Sequence, residues 1–250
     1  MSPGKNVNNI ISSKSGMRKF LRKTASIVFK NLQNTTLIQA IEEQFEIFAF
    51  SGVTSRHFEY PFAISQLVKL TKKGKKNLLD AGPTGSLFPL IAASLGIKVT
   101  GIDILPWDIQ FKNYTHLLAD LKKIPIESNY FDLVSSISTM EHLGLPRFGE
   151  TPDKDADIKG MKELIRVLKP KGHIILTVPF GKPIIFQNKH RVYDKKALKK
   201  LIGNLKIVKQ EFFAPVDNIL TFRPCTQEEV FLVDTKTGTY GVNCIVAQKI

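Results

Sequence analysis

The stretch Leu78-Leu79-Asp80-Ala81-Gly82-Pro83-Thr84-Gly85-Ser86 decides how this chain is read. A short apolar run ends in a carboxylate, passes through a glycine-containing turn and leads into a helical pattern. Gly82 lets the backbone approach a ligand where a side chain would stand in the way. The start of the following helix offers N–H groups to a carboxylate or phosphate. Asp80, at the strand end, is placed to hold an ammonium group. About 20 residues beyond the turn, where a nucleotide fold carries its ribose-binding acid, a second apolar run ends in Gly101-Ile102-Asp103. A carboxylate there accepts both hydrogens of a ribose diol and disfavours a 2′-phosphate.

From Asn77 onward, short apolar runs alternate with helical patterns, as in βαβ units that build a mainly parallel sheet. The pattern predicts strands over residues 77–81, 98–103, 116–119, 131–136 and 173–178, and helices over 87–95, 155–168 and 195–202. The acidic stretch 150–157 suits a helix start, and Lys169-Pro170-Lys171-Gly172 suits its end. Residues 206–213 and 241–247 predict a terminal antiparallel hairpin. The roughly 25 residues between them exceed an ordinary hairpin loop, which makes the insert 215–240 a candidate cover for a site. Upstream, residues 1–15 are rich in Asn, Ser and Gly and read as mobile. Residues 16–76 read as a helical extension: 16–30 are basic and amphipathic, and 36–48 and 62–70 carry apolar side chains at helical spacing. The chain thus divides into 1–15, 16–76 and a ligand-binding domain over 77–250.

Composition narrows the function class. Apolar residues at 43% and charged residues at 23% describe a folded rather than a disordered chain. There is no apolar run of about 18 residues to span a bilayer, and the N-terminus lacks the apolar core of a signal peptide. The two cysteines, Cys225 and Cys244, have no metal-ligand spacing. Neither a zinc site nor a disulfide framework is expected, and a cytoplasmic setting is. The net charge of +14 favours nucleic acid, anionic lipid or phosphorylated partners. The lysines are spread along the chain, however, as on solvated helix faces, and only the basic helix 16–30 invites peripheral membrane contact.

A dinucleotide site calls for G-x-G-x-x-G, but Gly82, Thr84 and Leu87 stand at those three places. The chain continues with Leu118-Ala119-Asp120-Leu121, Ile124-Pro125, Tyr130-Phe131-Asp132-Leu133-Val134-Ser135-Ser136 and Thr139-Met140-Glu141-His142. It then runs from Glu163 through Lys169-Pro170-Lys171-Gly172 to Pro179. This succession resembles the class I S-adenosylmethionine-dependent methyltransferases over about residues 77–180. The resemblance implies a Rossmann-like α/β sandwich: a mainly parallel seven-stranded sheet with an antiparallel C-terminal hairpin, preceded here by the helical extension. It implies S-adenosylmethionine as cofactor, leaving as S-adenosylhomocysteine. Asp80, Gly82 and Gly85 would surround its methionine part, Asp103 its ribose, Asp120 and Leu121 its adenine, and Thr139 would lie toward the methyl group.

The family's turn reads D-x-G-x-G-x-G, and here Thr84 and Ser86 replace the second and third glycines. Ser55-Arg56-His57-Phe58-Glu59-Tyr60-Pro61 and His190-Arg191-Val192-Tyr193-Asp194 are similar to a subgroup associated with glycan and cell-surface polysaccharide pathways. That likeness implies Arg191 and Tyr193 as contacts for an anionic or sugar substrate. Glu141 or His142 is the candidate general base for an oxygen acceptor. The family's Asn/Asp-Pro-Pro-Tyr motif for base amino groups is missing near Thr139, as is an aromatic cluster that would stack exposed bases. The expected function is therefore O-methylation of a small-molecule or glycan acceptor, ahead of RNA methylation or a non-catalytic binding role.

Overall fold

The computed structural model describes residues 55–72, 74, 76–146, 151–216 and 221–250, so the expected mobile segment 1–15 and helices 16–30 and 36–48 lie outside the described residues. Strand β1 (Asn77–Ala81) buries Leu78, Leu79, Asp80 and Ala81 in succession. A run buried on both faces is what a parallel sheet between two helical layers requires. β1 pairs in parallel with β2 (Lys98–Asp103) on one side and β4 (Phe131–Ile137) on the other. β2 continues to β3 (Tyr114–Leu118), and β4 to β5 (Leu168–Phe180). A separate hairpin is formed by β6 (Ile184–Phe186) and β7 (His190–Val192). The large sheet is completed by β8 (Lys206–Val216), β9 (Thr221–Cys225) and β10 (Gly241–Gln248), in the order β3-β2-β1-β4-β5-β10-β8-β9.

The sheet has eight strands rather than the seven expected, because the insert after β8 supplies β9, which pairs antiparallel with Phe212–Val216. β8 and β10 do pair antiparallel, with β10 on the inside against β5. Burial explains that choice: Gly241 to Ala247 are all buried, whereas β8 begins with three exposed residues. Two boundaries also move. β3 starts two residues early, at Tyr114, whose buried ring packs against Gly101. The Lys169–Gly172 turn becomes a bulge inside β5, where the register with β4 jumps from Phe131↔Leu168 to Leu133↔His173 and Lys171 takes φ 62°. The helix before it stops at Val167, where Leu168 is already extended at φ −75° and ψ 134°, and Pro170 disfavours a return to helix at Lys169.

Helices α1 (Arg56–Thr71) and α2 (Phe88–Ser94) pack on one face of the sheet. Helices α3 (Ala156–Val167) and α4 (Lys195–Ile202) cover the other. There Met161, Leu164, Leu198 and Leu201 close a core with Leu79, Val134, Leu176 and Ile245. Asp194 caps α4 by accepting from Ala197 N at 2.7 Å. The insert adds a one-turn helix, α5 (Gln227–Val230). The Ser55–Pro61 motif forms the first turns of α1, and Ser55–Ile250 make one compact unit. Among the described residues no helix is long and apolar enough to cross a membrane.

Candidate functional site

β1 and β4 are neighbours whose following connections leave in opposite directions across the sheet, and ligands of open α/β sheets bind at such a switch point. A cavity of about 250 Å³ lies there. Gly82 and Thr84 reach it from the end of β1, Asp103 to Leu105 from β2, and Asp120 and Leu121 from β3. The end of β4 contributes Ser138, Thr139, His142 and Leu143, and α1 contributes Arg56.

Gly82 has φ 71°, and a Cβ on it would stand 2.5 Å from Thr139 Cγ2. Thr139 is held there by donating from Oγ1 to the Ala81 carbonyl at 3.0 Å. Gly85 also has positive φ, at 74°, although it does not reach the cavity wall. Thr84 and Ser86 do not have positive φ, so the backbone here needs glycine only where glycine stands. The departure from the family turn instead adds bonds. Thr84 N–H donates to Asp103 Oδ2 at 3.1 Å, and Ser86 Oγ accepts from Phe88 N at 3.3 Å.

Asp103 Oδ1 accepts from Leu105 N at 3.0 Å, so both carboxylate oxygens are oriented while further lone pairs remain. Asp120 Oδ1 is fixed by Lys122 N at 2.8 Å, and buried Leu121 supplies apolar wall. Asp80 is not on the wall. It is buried beside Ser135, its β4 neighbour, whose Oγ donates to Asp80 Oδ1 at 2.6 Å. Burial pushes its carboxyl up to about 7, against the opposing effects of the Ser135 bond and the charge of Arg56.

His142 is on the wall, while Glu141 is buried behind it. His142 Nδ1 lies 2.6 Å from the Lys189 carbonyl. A carbonyl only accepts, so Nδ1 carries the hydrogen and Nε2 keeps the lone pair in the neutral ring. Nε2 lies 3.7 Å from Glu141 Oε1, where the carboxylate would stabilise the ring if it were protonated.

Arg191 and Tyr193, expected at the substrate, do not line this cavity. Arg191 is buried and donates from Nη1 to the Leu143 carbonyl at 2.6 Å, tying β7 to the turn that carries His142. Tyr193 OH donates to Asp157 Oδ2 on α3 at 2.9 Å, and burial together with Asp157 holds its phenol well above the usual range. Both line a separate surface cleft of about 370 Å³ beside α3 and the β6–β7 hairpin.

Sequence reasoning missed Arg56, Glu59 and Ser138 as a unit. Glu59 is fully buried, and its carboxylate accepts from Ser55 Oγ at 2.8 Å, Arg56 Nη1 at 2.9 Å, and Ser138 Oγ and Thr177 Oγ1 at 2.6 Å each. Ser138 takes φ 47°, a conformation that persists only when neighbours over-determine it. Its N–H donates to the Thr177 carbonyl at 3.1 Å and to Thr177 Oγ1 at 3.0 Å. Burial opposes the charge on Arg56, yet Glu59, Tyr60 and Glu141 hold its guanidinium above the ordinary range. The i, i+3 pairing of Arg56 with Glu59 was visible in the motif; the partner 79 positions away was not.

Similar solved structures share this architecture. A SAM-dependent methyltransferase from Methanosarcina mazei is 16% identical, with 74% of this chain and 97% of that chain covered at TM-score 0.51. The 1,6-didemethyltoxoflavin-N1-methyltransferase of Burkholderia thailandensis, crystallised with 1,6-didemethyltoxoflavin and S-adenosylhomocysteine, is 12% identical, covering 100% of this chain and 91% of that chain at TM-score 0.52. The [4+2]-cyclase SpnF is 14% identical, covering 79% and 83% at TM-score 0.54. The chain therefore has the Rossmann-like class I methyltransferase fold. Residues 106–214 match a family described as Caenorhabditis proteins of unknown function, DUF268. No curated protein sequence matches the chain.

Proposed function

We propose that this protein is an S-adenosylmethionine-dependent methyltransferase acting on an oxygen of a small-molecule or glycan acceptor. The observation that carries the reading is Asp103, its carboxylate oriented by the N–H groups of Thr84 and Leu105, in one cavity with Gly82. A diol fits that carboxylate, and the close backbone approach at Gly82 is space that a Cβ would fill. Asp120 and Leu121 suit an adenine, one polar and one apolar contact on the same wall.

Bound there, the cofactor supplies a methyl group on a sulfonium whose leaving group departs neutral, so the chain's task is mainly positioning. An oxygen acceptor loses a proton as its bond forms. His142 Nε2 takes that proton, with Glu141 stabilising the product and the Lys189 carbonyl holding the ring. Strand β8 and the insert meet the start of α1 at Phe58, which stacks on Phe213 of β8 at 4.3 Å and contacts Phe222 of β9 at 5.0 Å. That apolar contact helps exclude water from the carboxyl edge of the sheet. The glycan direction rests on the likeness of Ser55–Pro61 and His190–Asp194 to the glycan-associated subgroup.

Calorimetric titration with S-adenosylhomocysteine tests the reading. Micromolar binding, about −8 kcal/mol, is expected for the wild type and its loss for Asp103→Ala. Failure of folded wild-type protein to bind would sink it. Two competing readings have their own signatures. The net charge of +14 favours an RNA acceptor, which would appear as salt-dependent RNA retention. The similarity to a [4+2]-cyclase favours other chemistry on this fold, which would appear as cofactor binding without methyl transfer.

A further inference from the structure

Apart from the cavity at the β1–β4 switch point, a cleft of about 370 Å³ opens between the first turn of α3, the base of the β6–β7 hairpin and α4. Its wall holds a charged pair almost out of solvent: the side chains of Arg191 and Asp157 are 9% and 7% accessible. An apolar pair of similar volume would usually serve packing as well or better. Nor do the two charges close on each other. Arg191 Nε stands 3.9 Å from Asp157 Oδ2, beyond hydrogen-bond distance. Arg191 donates from Nη1 to the Leu143 and Glu141 carbonyls, at 2.6 and 3.4 Å, and from Nη2 to the Asp153 carbonyl at 3.5 Å. Its Nε hydrogen has no acceptor within hydrogen-bond distance among the described residues. Asp157 accepts once on each oxygen, from the Ile158 N–H and the Tyr193 hydroxyl, both at 2.9 Å, so lone pairs remain. A donor and an acceptor are thus held side by side in the wall, each with capacity left.

We propose that this cleft is a second ligand site and that it binds a neutral sugar ring. The charges on the wall select the ligand. Lys200 is paired with Asp155 at 3.1 Å and Arg191 stands against Asp157, which leaves Lys154 as the further charge. An anion would meet Asp155 and Asp157, and a cation would meet Lys154, Arg191 and Lys200. A hydroxyl suits both members of the buried pair, since it accepts from Arg191 Nε and donates to Asp157. Vicinal hydroxyls repeat that pattern, and Asp155 with Lys200 offers a second acceptor and donor on the wall. Ile158, Pro183, Ile184 and Val192 make the rest of the lining apolar, and Ile185 is 53% exposed beside them. Such a surface suits the C–H face of a sugar ring. The volume is near the lower end for ligand cavities and fits a small saccharide. The inference does not depend on the cofactor reading, because none of these residues lines the other cavity.

Saturation-transfer NMR on the full chain tests this with a fixed panel of glucose, galactose, mannose and N-acetylglucosamine. Glucuronate and glucosamine serve as the anionic and cationic counterparts. At least one neutral sugar should bind in the millimolar range, and more tightly than either charged one. Asp157→Asn should weaken that binding about tenfold, the usual loss for a charged hydrogen bond. Ile185→Ser changes an exposed side chain and should weaken it roughly threefold. Ala197→Phe on α4 should fill the cleft and abolish the signal. Melting temperature shows which variants are folded, and Ile185→Ser decides if the buried changes unfold the chain. Failure of every neutral sugar to bind overturns the inference, as does tighter binding of glucuronate or glucosamine. Sugar binding that Asp103→Ala removes, or that Ile185→Ser leaves intact, belongs to another site and overturns it too. The cofactor reading is judged separately by S-adenosylhomocysteine, which should bind Ile185→Ser as it binds the wild type.

Discussion

At the scale of single residues, the site depends on atoms that are present and on one that is not. Gly82 has no Cβ, and one would meet Thr139 Cγ2 at 2.5 Å and Oγ1 at 2.6 Å. Gly82→Ala should therefore cost about 1–3 kcal/mol of stability and weaken S-adenosylhomocysteine binding at least about tenfold. Thr139→Ala in the same background removes both clashing atoms and should recover part of the loss in a double-mutant cycle; strict additivity would show that the clash is not the cause. Asp80 makes a prediction about pH. Its folded-state pKa, raised to about 7 by burial, lies above its ordinary value of 3.8. The folded state then binds more protons than the unfolded state between those values, so Asp80 makes the protein less stable as pH rises from about 4 to about 7 and adds no slope above that. Asp80→Asn should be close to neutral near pH 4. Its advantage should grow up to pH 7 by as much as about 1.4 kcal/mol per pH unit and then level off. Urea midpoints across that range would check it, and a pH-independent difference would refute it.

At the scale of elements, the turn after β4 is tied to several others. Ser138 is bonded to β5 and α1, Leu143 accepts from Arg191 on β7, and His142 donates from Nδ1 to the Lys189 carbonyl in the β6–β7 loop. Tyr193, just past β7, reaches across to Asp157 in the first turn of α3. Tyr193→Phe should thus cost about 1–3 kcal/mol by leaving a buried carboxylate short of a donor. Thermal melting would measure that loss, and S-adenosylhomocysteine affinity should be unchanged. An unaltered melting point with lost affinity would instead place Tyr193 at the ligand. The cleft that Arg191 and Tyr193 share with α3 is a different surface from the cavity at the β1–β4 switch point.

For the whole molecule, binding and stability are linked. A ligand that binds only the folded chain adds about 2.7 kcal/mol at a hundred times its dissociation constant. For a unit of this size that corresponds to a rise in melting temperature of roughly 5–10 °C. S-adenosylhomocysteine should produce that rise in the wild type and not in Asp103→Ala, as read by calorimetric melting. An equal rise in both would show that the ligand binds away from the β1–β4 switch point. This linkage follows from the sheet's architecture, because the cavity is assembled from the ends of four strands and a helix that are in place only when the unit is folded.

The sequence by itself determined the parallel half of the sheet. β1 and β2 fall on the residues that the apolar runs marked, and α4 runs from Lys195 to Ile202 as its pattern predicts. Those signals are local: a buried run, a turn residue and a helical repeat lie within a few positions of one another. Asp103 was legible for the same reason, since a strand end next to a glycine turn puts an acid near the ligand whatever the rest of the chain does. The tertiary structure alone decided the rest. β9 takes the edge because β8 has an open side there, which no local pattern records. Asp80 points into the protein because its partner across the sheet is Ser135, and Arg191 and Tyr193 turn inward because Leu143 and Asp157 await them. The clamp of Arg56 by Glu59 needed the ends of β4 and β5 to arrive beside α1. Strand and helix propensity are properties of neighbours in sequence; the direction in which a polar side chain points is set by which distant donor or acceptor can spare it an unpaired burial.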